Sequence, residues 1–185
     1  EILELADLSY DSRHLLVNTS THEKKAKENE LIKNIKIDKT LSGVIVIEVE
    51  EVDMVGIYTK DKKSYLLLCD GESVEFKDEG LERRMKFPII GEFSDEQRVL
   101  MAKSFAKEEK VVKKEIIALI SEINPFKQSY DKHMIELVMQ DGNRVHATYE
   151  DVYVLNYYKQ MLKDLKEDNA CIFLDALNGV YSTED

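Results

Sequence analysis

Tryptophan is absent from this chain, cysteine and proline occur twice each, and the seven glycines are scattered singly. Cys69 and Cys171 lie far apart and match neither a CxxC pair nor a metal-ligand spacing, so they define no zinc site and dictate no disulfide. Taken alone, two isolated thiols lean towards a reducing compartment. No GxxxxGK or GxGxxG run offers a phosphate cradle. Asp70-Gly71 and Asp141-Gly142 read as hairpin turns, because the alternating oxygen ligands of an EF-hand loop are missing around them.

Long apolar runs are missing too. The longest, 44–47 and 65–69, are far too short to cross a bilayer, and no charged, apolar, small-residue order opens the chain. The chain begins at Glu1, as expected of a piece whose targeting segment lies upstream. Basic charge is in deficit: 37 acidic side chains against 26 basic ones give a formal charge of −11, a field that repels phosphate backbones. Lys24, Lys25 and Lys27 form one basic cluster and Arg83, Arg84 and Lys86 another. Glu23, Glu28 and Glu82 interrupt them, so both read as solvated faces and nucleic acid is not an expected partner.

Catalytic spacing is equally thin. His14, His22, His133 and His146 form no HxxxH or HxH pair, and His146 is expected on the solvent face of a hairpin. Glu48 and Glu50 share a strand face, yet read as a charged outer face that discourages sheet aggregation rather than as a carboxylate pair. The chain is therefore not expected to be an enzyme, and no cofactor, metal or small-molecule substrate is expected.

What is present is 43% hydrophobic residues, enough for a packed core. Residues 2–8 are short and apolar and read as β, and 24–31 are good helix formers. Residues 33–38 place Ile35 and Ile37 on one face, and 44–51 place Ile45, Ile47 and Val49 on one face. Together they sketch a β-α-α-β-β unit. A meander comes next over 56–59, 64–69 and 72–76, turning at 60–63 and at Asp70-Gly71. Residues 77–85 read as a loop, and 87–91 re-enter the core.

Ser94 and Gln97 form a capping-box pattern, with Val99, Ala102 and Phe105 lining one helix face. Val112, Ile116, Leu119 and Ile120 suggest a second helix, and 120–123 a strand stopped by Asn124-Pro125. The clearest hairpin joins 133–140 to 144–149 through Asp141-Gly142-Asn143. A three-residue loop there opposes Met139 with Val145, Leu137 with Ala147 and Ile135 with Tyr149, which gathers the apolar residues on one face. A helix over 151–166 turns Leu155, Tyr158, Leu162 and Leu165 inward. The final strand, 170–177, is apolar on both faces: Ile172, Leu174 and Ala176 on one, Cys171, Phe173 and Leu177 on the other.

Several stretches carry a resemblance. "NELIKNIKIDKTLSGVIVIEVEEVDMVGIY", with Val49-Glu50-Glu51 inside it, "FPIIGEF" at 87–93, "ISEINPF", "IELVMQDGNRVHAT" and "ACIFLDALNGVY" succeed one another in an order that resembles the extracytoplasmic region of the FtsQ/DivIB cell-division family. Asn29-Glu30 and Leu41-Ser42-Gly43 stand where that family often has Asn-Pro and a Pro-Asn turn. The resemblance implies an α+β fold: a small POTRA-like β-α-α-β-β domain over 1–53, then a larger mixed-sheet domain packed with helices over 54–185.

It also implies a single-pass membrane protein with one upstream helix and this region on the extracytoplasmic side, which overrides the lean from the two thiols. The implied role is a non-catalytic divisome scaffold binding FtsB/DivIC-type and FtsL-type division proteins in septum formation. The expected surface is the last strand and the residues immediately after it, with Phe173, Asp175, Leu177, Asn178, Val180 and Tyr181 as candidates, because an edge strand accepts an extended partner segment. Two competing readings remain: another POTRA-type polypeptide-binding module of secretion or surface assembly, and an acidic hydrolase whose residues converge only in three dimensions.

Overall fold

A computed structural model of the chain describes residues 2–9, 17–29, 31–76, 87–126, 133–165, 169–175 and 179–183. It divides into two compact units, 1–52 and 53–185. No helix among the described residues is long and apolar enough to cross a membrane.

In the first unit, α1 (Ile2–Leu5) and α2 (Thr19–Ala26) precede an antiparallel hairpin of β1 (Ile32–Lys39) and β2 (Ile45–Glu51). The expected first strand is a helical turn instead. Asp7 at φ 55° ends it, with Leu8 N–H bonded to Leu3 C=O at 2.7 Å and Asp7 N–H to Glu4 C=O at 2.9 Å. This is the paired bonding of a Schellman ending, which gives the orphan carbonyls of a short helix their donors. Among the described residues no strand precedes β1. The helix expected over 24–31 lies earlier in the chain, and Glu23 on it accepts the Ile37 N–H at 2.7 Å. The hairpin obeys its alternation: Ile35 faces Val49 and Ile37 faces Ile47, and these pack with Ala6, Leu8, Val17 and Ala26. Glu48 and Glu50 are exposed.

The second unit is built on a nine-stranded mixed sheet. Its strands are β3 (Met54–Lys60), β4 (Lys63–Leu68), β5 (Ser73–Phe76), β6 (Ile89–Ile90), β9 (Ile120–Pro125), β10 (Met134–Met139), β11 (Arg144–Thr148), β12 (Cys171–Asp175) and β13 (Gly179–Thr183). They lie in the order β13-β12-β11-β10-β9-β6-β3-β4-β5. The β11–β12, β3–β6 and β6–β9 pairs are parallel. Between β6 and β9 come helix α3 (Asp95–Ser104), the small hairpin β7 (Ala106–Lys107) and β8 (Lys110–Val111), and the single turn α4 (Lys114–Ile117). Between β11 and β12 come a 3-10 helix (Val152–Tyr157) and α5 (Tyr158–Asp164). One face of the sheet carries the core, where Val55, Leu67, Ile123, Ile135, Leu137, Val145 and Ile172 pack with Met101, Phe105, Leu155 and Tyr158.

The capping box forms as the sequence indicates: Ser94 Oγ accepts the Gln97 N–H and Gln97 Oε1 accepts the Ser94 N–H, both at 3.2 Å. The second helix does not extend as expected. Val112, Ile116 and Ile120 are buried, but only one helical turn forms, because Glu108 at φ 44° folds the chain into the β7–β8 hairpin first. The helix expected over 151–166 opens as 3-10. Its Val, Tyr and Asn residues are poor α-formers, and Asn156 is tied to the neighbouring segment, accepting the Lys113 N–H at 2.9 Å and donating to Val111 C=O at 2.8 Å.

The β10–β11 register differs from expectation by two residues: Leu137 faces Val145 and Ile135 faces Ala147. The loop is Gln140-Asp141-Gly142, closed by Met139 N–H to Asn143 C=O at 2.8 Å and Gly142 N–H to Met139 C=O at 3.1 Å. Gly142 is at φ 92°. A three-residue hairpin loop needs its left-handed residue in third place, and glycine fits there without a Cβ clash. A slip of two leaves every side chain on its expected face.

Candidate functional site

The β10–β11 turn is fastened to the start of β12 by a buried amide. Asn143 is 5% exposed. Its Nδ2 donates to Tyr158 Oη at 2.8 Å, and its Oδ1 accepts the Ala170 N–H at 2.8 Å. Tyr158 in turn donates to the Asp141 carboxylate at 2.8 and 2.9 Å, and burial raises its phenol pKa. Arg144 N–H bonds to Ala170 C=O at 2.9 Å, and the parallel β11–β12 ladder starts at that point. The sequence marks Asn143 as a turn residue; nothing in its spacing announces that its side chain is buried.

The terminal strand is two strands. β12 lies between β11 and β13 and is not an edge; β13 runs antiparallel to it and ends the sheet. This corrects the expectation that the strand over 170–177 is the last one and forms the sheet edge. The signal was present in Asn178-Gly179, a turn pair between two apolar runs. Phe173 is half-buried inside β12 and stands opposite Tyr181 in register; Asp175 stands opposite Gly179, and Val180 opposite Leu174. Leu177 and Asn178, like Ala176, lie outside the described residues. Val180 and Tyr181 therefore fall on the terminal strand, one strand outside Phe173 and Asp175.

On the sheet face opposite the helices, His146 is 5% exposed, not on a solvent face as expected. Its ring lies against Phe126 at 4.0 Å between centroids, tilted by 30°, and meets Phe173 edge-on at 4.7 Å. Its Nε2 lies 3.0 Å from Glu136 Oε2, and its Nδ1 lies 3.6 Å from the Cys171 sulfur. Glu136, His146, and Cys171 with Phe173 come from three adjacent strands, β10, β11 and β12, and Phe126 follows the end of β9. Cys69 and Cys171 are both buried and not joined in a disulfide. Elsewhere, an open cleft of about 460 Å³ between α3 and the end of β11 is lined by Leu100, Lys103, Lys107, His133, Tyr149 and Glu150 among others. Lys107 is paired there with Glu150 at 2.8 Å. Among the described residues no group of three or more His, Cys, Asp or Glu is arranged to hold a metal ion.

No family model matches the chain. It is similar to proteins named cell division protein DivIB. The one from Brevibacillus brevis is 28% identical over 174 residues, covering 91% of this chain and 63% of the relative. The one from Weissella koreensis is 27% identical over 150 residues, covering 80% and 51%. The one from Bacillus anthracis is 24% identical over 185 residues, covering 100% and 68%. The chain thus spans between half and two thirds of the length of the first of these relatives. Among solved structures, it is similar to the major extracytoplasmic domain of DivIB from Geobacillus stearothermophilus, at 19% identity and TM-score 0.46, covering 63% of this chain and 95% of that one.

Proposed function

We propose that this chain, which is similar to proteins named cell division protein DivIB, is the extracytoplasmic part of a division scaffold that receives an extended segment of a partner at its last strand. The observation that carries this reading is the position of β13 at the end of the nine-stranded sheet, with its outer edge unpaired among the described residues. An unpaired edge presents alternating N–H and C=O groups that an added strand satisfies, while side chains on either side supply specificity. Phe173, Asp175, Leu177, Asn178, Val180 and Tyr181 form the proposed surface, with main-chain pairing at Val180 and Tyr181 and side-chain contact from the rest.

In this reading 1–53 form a POTRA-like domain and 54–185 the partner-binding domain. The full protein is held in the membrane by one upstream helix. The partners are FtsB/DivIC-type and FtsL-type proteins, and the role is binding rather than catalysis.

Proline placed singly at Val180 and Tyr181 tests the edge. In an antiparallel ladder alternate residues direct their backbone groups inward and outward, so one of the two prolines removes an outward N–H without touching the β12–β13 bonds. That variant should melt like the parent and lose calorimetrically measured binding to the extracytoplasmic region of a DivIC-type partner. Two folded variants that both bind with parental affinity would rule out edge pairing.

A further inference from the structure

We propose that Cys171 is a reactive thiol, activated by His146 as its base with Glu136 orienting the imidazole, and that it takes small disulfides as its covalent ligands. The groups stand in the order a thiol nucleophile requires: sulfur, imidazole nitrogen 3.6 Å away, and carboxylate oxygen 3.0 Å from the other ring nitrogen. Glu136, as an acceptor on Nε2, holds the neutral ring in the tautomer with Nε2–H. Nδ1 is then left with its lone pair towards the thiol. Two features keep this order in place. Glu136 and His146 are directly opposed across β10 and β11. The His146 ring is held between Phe126 and Phe173. An imidazole beside a cysteine favours its thiolate.

The second cysteine provides a contrast within the same chain. Cys69 is 7% exposed, as is Cys171. Burial, with Asp53 and Asp70 nearby, pushes its thiol up to about 12. Equal burial with different neighbours, an imidazole beside Cys171 and two carboxylates near Cys69, predicts unequal chemistry. In the step proposed, the Cys171 proton passes to His146 Nδ1 and the thiolate attacks one sulfur of R–S–S–R. A Cys171–S–S–R bond forms as the R–S–S–R bond breaks, and the departing RS⁻ takes the proton from the imidazolium to leave as RSH. One disulfide replaces another, and no further oxidant is needed.

The test uses the chain as it stands with 4,4′-dithiodipyridine as the probe, with no partner present, so its outcome is independent of edge pairing. The native protein should react at one thiol, mapped to Cys171 by mass spectrometry. Cys69→Ser should keep that phase and Cys171→Ser should remove it. His146→Asn, with its circular dichroism unchanged, should slow the reaction about tenfold at pH 7, because an ordinary thiol with pKa near 8.5 is only a few per cent ionised there. Should that variant fail to fold, the pH–rate profile of the parent decides, with a midpoint expected below about 7.5. The proposal is overturned if Cys171 reacts no faster than Cys69, if the midpoint sits at or above about 8.5, or if the rate rises only in step with unfolding by urea.

Discussion

Replacing Asn143 with alanine removes both ends of the buried amide that fastens the β10–β11 turn to β12. The Ala170 N–H, whose acceptor is Asn143 Oδ1 at 2.8 Å, is left buried. An orphaned buried donor costs about 1–3 kcal/mol, and the lost bond to Tyr158 adds about 1 kcal/mol. The sum, about 2–4 kcal/mol, corresponds to a fall in melting temperature of roughly 10 °C for a unit of this size. Tyr158→Phe should cost about 1–3 kcal/mol, because it leaves the buried Asn143 Nδ2 without its acceptor, while Asp141, which is exposed, rehydrates. Urea unfolding monitored by circular dichroism gives the magnitudes, and a double-mutant cycle gives the coupling. Amide exchange localises the effect, with protection lost first at 170–175. A cost below about 0.5 kcal/mol for Asn143→Ala, or unchanged exchange at Ala170, would refute the claim that this amide holds β12.

Gly142→Ala should destabilise by about 1–3 kcal/mol, since the position is at φ 92° and a Cβ there would come 2.3 Å from Asn169 Oδ1; thermal melting checks it. Ser94→Ala removes one half of the capping box on α3 and should cost about 1 kcal/mol, whereas Ser94→Asp should retain most of it. Ile123→Ala, at a fully buried position on the central strand β9, should cost about 2–5 kcal/mol in chemical denaturation. Side-chain hydrogen bonds from Lys60 and Arg98 hold the Asp95 carboxyl below its ordinary 3.8. Its contribution is therefore present above the unfolded-state value and is lost as pH falls through the folded one. Lys60→Met should raise the Asp95 midpoint seen by NMR titration, and an unchanged midpoint contradicts that account.

Strands whose burial alternates were legible in the chain. Ile35 and Ile37 on β1, Ile45, Ile47 and Val49 on β2, and Ile135, Leu137 and Met139 on β10 all occupy the faces that period two assigns. The capping box was legible because both of its bonds are local. Where expectation failed, a non-local or single-residue term decided. Asp7 and Glu108 enter left-handed backbone that no periodicity announces. Val112, Ile116 and Ile120 are buried as a helical pattern demands, yet their segment is mostly not helical, because burial periodicity over so short a stretch does not separate a helix from a turn feeding a strand. His146 was assigned to solvent by alternation alone. Its face of the sheet is covered by Phe126 and Phe173, which come from distant parts of the sequence.

The same topology explains why the proposed edge depends on residues far from it in sequence. β11 and β12 are parallel, so no tight turn can join them, and a crossover is required; the 3-10 helix and α5 supply it. Such a crossover leaves the register of β12 underdetermined, because its ends are not held as a hairpin's are. The Asn143 amide closes that freedom by bonding Ala170 immediately before the strand. β13 then takes its register from β12 alone among the described strands. The edge is thus held at the end of a chain of dependencies running from the β10–β11 turn through one side-chain amide to β12. Local opening is easiest where a strand has a single neighbour, and an added partner strand would supply β13 with its second.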